Sequence, residues 1–294
     1  FDRLTFGVEL LNSLYAPKVG IFLAFLSSIF WGVGGFCAGQ ASRRAALLPI
    51  LTLDIFIGIC VVTPLSFLVA DSFTLKDFLI GGFAGLFGIG GAGFLYAGMQ
   101  KATYVTVIPA SGVVSALVPV VWGVFSGDNL SFLHIVAVVV GLVSIALTSG
   151  VTLQTFTGSL NGLKEGILAG LGFGGFFVVI ENTSKDTEPW ASVGSRVFPL
   201  FILLFILRLT RNSQKPSKTA IPYVLGSGLA NVTASTCFLF AVNRGMLSIT
   251  SLLSALYPAI TVLIAHFLIS EKMTKSQIFG VGAAIFSMAS IAIG

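Results

Sequence analysis

The sequence predicts an all-α membrane protein: ten transmembrane helices in two inverted five-helix repeats. Three observations carry this. Charged residues make up 9% of the 294 and hydrophobic residues 55%. A soluble domain carries about 25% charge, so this chain lacks the charge to cover a water-facing surface. Second, apolar stretches of roughly 20 residues, the length that crosses a bilayer core of about 30 Å, recur from end to end. Third, the second half of the chain repeats the first.

Residues 1–19 precede the first span. Phe1, Leu4, Val8, Leu11 and Tyr15 mark an apolar helical stripe there, which reads as a leader or an interfacial helix. The first repeat, 20–150, offers spans at about 20–40, 48–70, 78–99, 103–125 and 132–149. Each ends in a short polar connector: "RRAALLP", "DSFTLKD", the Lys101 turn and "SGDNLS". "TLQTFTGSLNG" then joins the halves. The second repeat, 162–294, offers spans at about 162–181, 189–208, 220–242, 247–268 and 275–293, with "TRNSQKPSK" as its longest polar connector. No connector is long enough for a soluble domain.

The repeat is visible in three segments. "FLYAGMQKA" at 94–102 matches "FLFAVNRGM" at 238–246, "WGVGGFCAGQASR" at 31–43 matches "FGGFFVVIENTSK" at 173–185, and "GDNLS" at 127–131 matches "SEKMT" at 270–274. Five helices per copy reverse the chain's direction, so the second copy is inverted. Inverted repeats are a common architecture of secondary carriers, with the substrate site near the midplane between them.

Gly88, Gly90 and Gly93 have the spacing G-x-G-x-x-G of a dinucleotide turn. They lie inside the third span, and their counterpart in the eighth has Ala234 and Ser235 opposite Gly90 and Gly91. A phosphate-gripping turn would not survive that exchange. The glycines of 81–98, Gly90 among them, are expected to form a close-packed face on which helices move. Cys37, Cys60 and Cys237 fall in apolar segments and read as small buried residues. His134 and His266 have no metal-ligand spacing. No motif calls for a cofactor or metal, no ATP-binding loop is present, and the basic residues sit between spans, which argues against nucleic acid as a partner.

Ionisable residues inside spans are functional candidates. Asp54 in the second span and Arg196 in the seventh are repeat equivalents. They read either as a central ion pair or as separate contacts nearer the membrane surface. Glu181 and Lys185 read as a helix-end salt bridge or a proton-coupling group. Pro109, Pro119 and Pro258 are expected to interrupt the fourth and ninth helices beside a cavity. The candidate substrate lining is Trp31, Gln40, Tyr96, Tyr104, Ser111, Asn231, Thr236, Ser254 and Tyr257, with Asp54, Glu181, Arg196, Pro109 and Pro258 as coupling or gating residues.

"FLFAVNRGMLSITSLLSALYPAITVLIAHFLISEKMTKSQIFGVGAAI", with Tyr257, Pro258, Glu271 and Thr274, resembles the second half of EamA-type carriers of the drug/metabolite transporter superfamily, and "FWGVGGF" at 30–36 resembles their first span. The resemblance implies a multi-pass transporter of the plasma (inner) membrane, not an enzyme. Expected partners are a small organic substrate, the lipid bilayer and protons, with the protein a monomer or homodimer. The expected activity is export of amino acids or related metabolites by alternating access, with proton coupling or exchange. The alternative substrates are organic cations or drugs; a channel or receptor is the remaining reading. Basic residues in the loops number ten after odd spans (Arg43, Arg44, Lys101, Lys164, Arg208, Arg211, Lys215, Lys218, Lys272, Lys275) and five elsewhere (Arg3, Lys18, Lys76, Lys185, Arg244). That count places both termini outside, whereas the resemblance implies both termini in the cytoplasm.

Overall fold

The computed structural model of the chain describes residues 2–70, 72–101, 104–149, 162–184, 188–210 and 217–293, without the side chains of 2–17, 96, 99–101, 104–106, 109 and 188. Every regular element among them is a helix: α1 (Asp2–Ser42), α2 (Leu47–Val69), α3 (Leu75–Lys101), α4 (Tyr104–Ser126), α5 (Phe132–Thr148), α6 (Leu163–Ile180), α7 (Glu188–Thr210), α8 (Ile221–Val242), α9 (Leu247–Ala255), α10 (Tyr257–Ile269) and α11 (Lys275–Ile293). The membrane span of α1 is Lys18–Ser42. α9 and α10 form one crossing, Leu247–Ile269, so the described helices make ten passes.

The break between α9 and α10 has a local cause. Pro258 stands in the first turn of α10, where it lacks an N–H and its ring displaces the carbonyl one turn back. The chain tightens there through Leu256 N–H to the Leu253 carbonyl at 3.3 Å and Ala259 N–H to the Leu256 carbonyl at 3.1 Å. The fourth span behaves otherwise than expected. α4 runs from Tyr104 to Ser126 through the positions of both prolines, so neither Pro109 nor Pro119 ends a helix.

The helix contacts are those of a two-fold exchange. α1 packs on α8 as α3 packs on α6, α4 packs on α6 as α9 and α10 pack on α1, and α2·α7 and α5·α11 pair with their own equivalents. With five passes per repeat, the axis lies in the membrane plane. One face of the molecule carries the α4–α5 turn with Asp128 and the end of α6. The opposite face carries the α10–α11 turn with Glu271.

Small residues set how closely the repeats approach. A Cβ on Gly81 would overlap the Ala191 carbonyl, one on Gly85 the Ser195 carbonyl, and one on Gly194 the Phe78 carbonyl. Backbone therefore meets backbone along α3 and α7. Gly90 corrects the expectation: no heavy atom lies within 4 Å of its Cβ position. It is exposed on the side of α3 that carries Phe83 and Phe94. The close-packed positions are Gly81 and Gly85 toward α7 and Gly91 toward Ala169 and Phe173 of α6.

A cavity between the repeats as candidate functional site

Between the repeats lies a cavity of about 460 Å³. Trp31 of α1, Gly88 of α3, Ser115 of α4, Phe173, Phe176 and Phe177 of α6 and Tyr257 of α10 form much of its wall. Asp54 of α2, Ser195 and Arg196 of α7, and Asn231 and Ser235 of α8 supply its polar side.

The polar side is a single network centred on α8. Ser227 donates to Asp54 Oδ1 at 2.5 Å, and Asn231 Nδ2 donates to Oδ1 at 3.1 Å and Oδ2 at 3.3 Å. Arg196 Nη1 donates to the Ser192 carbonyl and Ser192 Oγ, both at 2.8 Å. Its Nη2 donates to Ser235 Oγ and, at 3.5 Å, to the Asn231 carbonyl. Asn231 therefore holds the acid with its side chain and the base with its backbone. Asp54 and Arg196 are close enough to interact through charge, but among the described residues their hydrogen bonds go to α7 and α8 rather than to each other. In a low-dielectric site a carboxylate and a guanidinium must both be hydrogen-bonded to be tolerated.

Three glycines seat this network. A Cβ on Gly58 would stand 2.8 Å from Arg196 Cδ, one on Gly34 would stand 3.1 Å from Asn231 Cγ, and one on Gly228 would stand 3.2 Å from the Asp54 carbonyl. The aromatic wall is self-supporting. Trp31 meets Phe177 edge-on at 5.5 Å between centroids, and Phe177 lies 4.5 Å from Phe238.

Toward the Asp128 face the space beyond the cavity is filled by Ile180, Phe238, Leu239, Val242 and Leu247, all buried. On the side nearer the Glu271 face the lining includes Leu95, Asp54 and Gly228.

Of the residues singled out from sequence, Trp31, Asp54, Arg196, Asn231 and Tyr257 meet at this cavity. Four others lie outside its lining. Gln40 is buried near the end of α1, where its Oε1 accepts from Arg44 at 3.0 Å. Ser111 donates to the Ile108 carbonyl at 3.1 Å, and Ser254 to the Ala24 carbonyl at 3.3 Å. The Thr236 hydroxyl is buried with no hydrogen-bond partner among the described residues, and nothing in the structure explains it. Pro258 acts on the backbone, placing Tyr257 at the start of α10. The side chains of Tyr96, Tyr104 and Pro109 lie outside the described residues, as does Lys185. The aromatic wall of α6 was missed. Its signal was the repeat itself, because Phe173 is the counterpart of Trp31.

Glu181 closes α6 on the Asp128 face, outside the cavity. Burial, and then the charge of Asp128, pushes its carboxyl up to about 6 from 4.5. A raised acid favours the folded state while it is neutral, so this contribution is full below about pH 4.5 and is lost as pH rises through about 6. The melting temperature of purified protein is therefore expected to fall between pH 5 and 7 more steeply in the parent than in Glu181→Gln; parallel curves would count against this assignment.

Two inverted five-helix repeats around a central polar and aromatic cavity define the class: a multi-pass membrane carrier fold. The chain belongs to the EamA-like transporter family, whose profile matches residues 18–150 and again 161–293. It is thus a membrane transporter of small molecules within the drug/metabolite transporter superfamily. A solved crystal structure superposes on it with a TM-score of 0.72 at 16% identity, covering 94% of this chain and 95% of the other; at that identity the likeness is one of fold. No match was found among curated proteins.

Proposed function

We propose that this transporter carries amino acids or related small zwitterions outward by alternating access, with Asp54 as the group that couples transport to protons or exchange. The observation that carries the reading is one carboxylate and one guanidinium joined through Asn231 in the lining of a cavity that also includes the aromatic side chains of Trp31, Phe173, Phe176 and Phe177. A zwitterion presents both charges at one end and leaves its side chain to the apolar wall. The outward direction follows the family resemblance. The aromatic wall also supports a second reading, an organic cation held over ring faces, which Arg196 opposes by charge.

A thermal-shift screen over amino acids, sugars and quaternary amines tests the reading. Amino acids with apolar side chains are expected to raise the melting temperature; stabilisation by quaternary amines alone would favour the second reading. Tyr257→Ala is expected to weaken that ligand shift about tenfold in concentration while leaving folded protein in the membrane, since it removes cavity wall at the helix break. An unchanged dose response would place the pocket elsewhere.

A further inference from the structure

The two faces of the molecule carry the same turn, engaged on one and free on the other. After α4, Gly127 adopts the left-handed region at φ 111° and Asp128 follows; after α10, Ser270 adopts it at φ 55° and Glu271 follows. Three residues beyond each acid a hydroxyl begins the next helix. Ser131 Oγ accepts from His134 N–H at 3.2 Å, and Thr274 Oγ1 from Gln277 N–H at 3.2 Å. Each of those side chains in turn accepts from the capping residue's own N–H, His134 Nδ1 at 3.3 Å and Gln277 Oε1 at 2.9 Å. Shared backbone geometry and shared caps establish Asp128 and Glu271 as structural equivalents.

Their side chains differ. Asp128 reaches across to the other repeat, where its Oδ2 accepts from Ser248 N–H at 2.9 Å and Ser248 Oγ at 2.5 Å. Ser248 lies in the first turn of α9, whose own capping residue, Met246, makes no side-chain bond, so Asp128 satisfies a helix-start N–H that would otherwise be orphaned. Gly123 makes room for this, because a Cβ there would stand 2.9 Å from the Ser248 nitrogen. Glu271 is exposed, and among the described residues its carboxylate makes no hydrogen bond; its backbone carbonyl is held by His266 Nδ1 at 2.9 Å. The engaged acid is on the face where Ile180, Val242 and Leu247 are packed, and the free acid is on the opposite face.

We propose that Asp128 and Glu271 are alternating latches: Asp128 holds its face shut by capping α9, and in the opposite state Glu271 holds the other face shut by capping the start of α4, the repeat counterpart of α9. The proposal rests on the alternating-access reading. Neither acid touches substrate; both act by positioning one repeat against the other. The two helix starts compete for closure in turn, and the transporter needs both latches to be reversible.

The test uses the full chain in oriented vesicles, with Cys37, Cys60 and Cys237 replaced by Ser and a reporter Ser115→Cys in the cavity. A membrane-impermeant maleimide is applied from one face or the other. Asp128→Ala is expected to raise labelling from the Asp128 face about tenfold, the scale of a lost charge-assisted bond, and Ser248→Ala to raise it by less. Glu271→Ala, at an exposed position that does not endanger folding, is expected to lower labelling from that same face. The proposal is overturned if Asp128→Ala and Glu271→Ala shift labelling in the same direction, or if neither shifts it while substrate still moves the reporter between faces. A reporter that labels from one face under every substrate condition overturns alternating access and the latches with it.

Discussion

Arg196→Met is expected to abolish transport and to cost about 3–5 kcal/mol of stability, the scale for removing one member of a buried charged pair. Arg196 is 8% exposed and donates to Ser192, Ser235 and the Asn231 carbonyl. Without it, Asp54 keeps Ser227 and Asn231 but loses the nearby positive charge. The double variant Asp54→Asn, Arg196→Met is expected to recover most of the lost stability and none of the transport. That separates the requirement for charge balance from the requirement for both charges in the cycle. Thermal melts of the three variants, with uptake into proteoliposomes, read both. Equal melts for Arg196→Met and the parent would mean that Asp54 does not depend on Arg196. Asp54→Asn alone is expected to remove gradient-driven uphill transport while sparing exchange.

The second large effect is steric. Gly85→Leu is expected to prevent correct assembly of α3 against α7, because its Cβ would overlap the Ser195 carbonyl and backbone cannot yield as a side chain can. Overpacking of a yielding core costs about 1–3 kcal/mol, and this site lies at the top of that range or beyond it. Ser195 adjoins Arg196, so the strain reaches the cavity directly. Gly90→Leu, one and a half turns away and facing open space, is expected to change stability by no more than about 0.5 kcal/mol. Size-exclusion profiles and melts of the two variants side by side decide the matter. A well-folded Gly85→Leu would contradict the packing described for the α3–α7 seam.

These two glycines show where the sequence was legible and where it was not. The spans and the repeat could be read because hydropathy and self-similarity survive in one dimension. Asp54 and Arg196 stood out because charge inside an apolar run has few structural excuses. The packed side of α3 was not legible: glycine spacing says that a face is small but not which face meets a neighbour, and Gly90 was assigned to the wrong one. The same blindness hid Phe173, Phe176 and Phe177, since a phenylalanine facing lipid and one facing a cavity look alike in a run of apolar residues. Ser111 and Ser254 failed the other way. A hydroxyl in a membrane helix signals a need for a partner, and a backbone carbonyl met that need.

Substrate counterflow bears most directly on the central claim, that a zwitterion is carried between Asp54 and Arg196. Proteoliposomes loaded with an unlabelled apolar amino acid would be offered the labelled compound, then its methyl ester and its N-acetyl derivative as competitors. The intact amino acid is expected to exchange, with either derivative competing at least tenfold more weakly, because each lacks one of the two charges that the cavity wall pairs. Competition by both derivatives as strong as by the parent amino acid, or exchange of a quaternary amine in its place, would contradict the account.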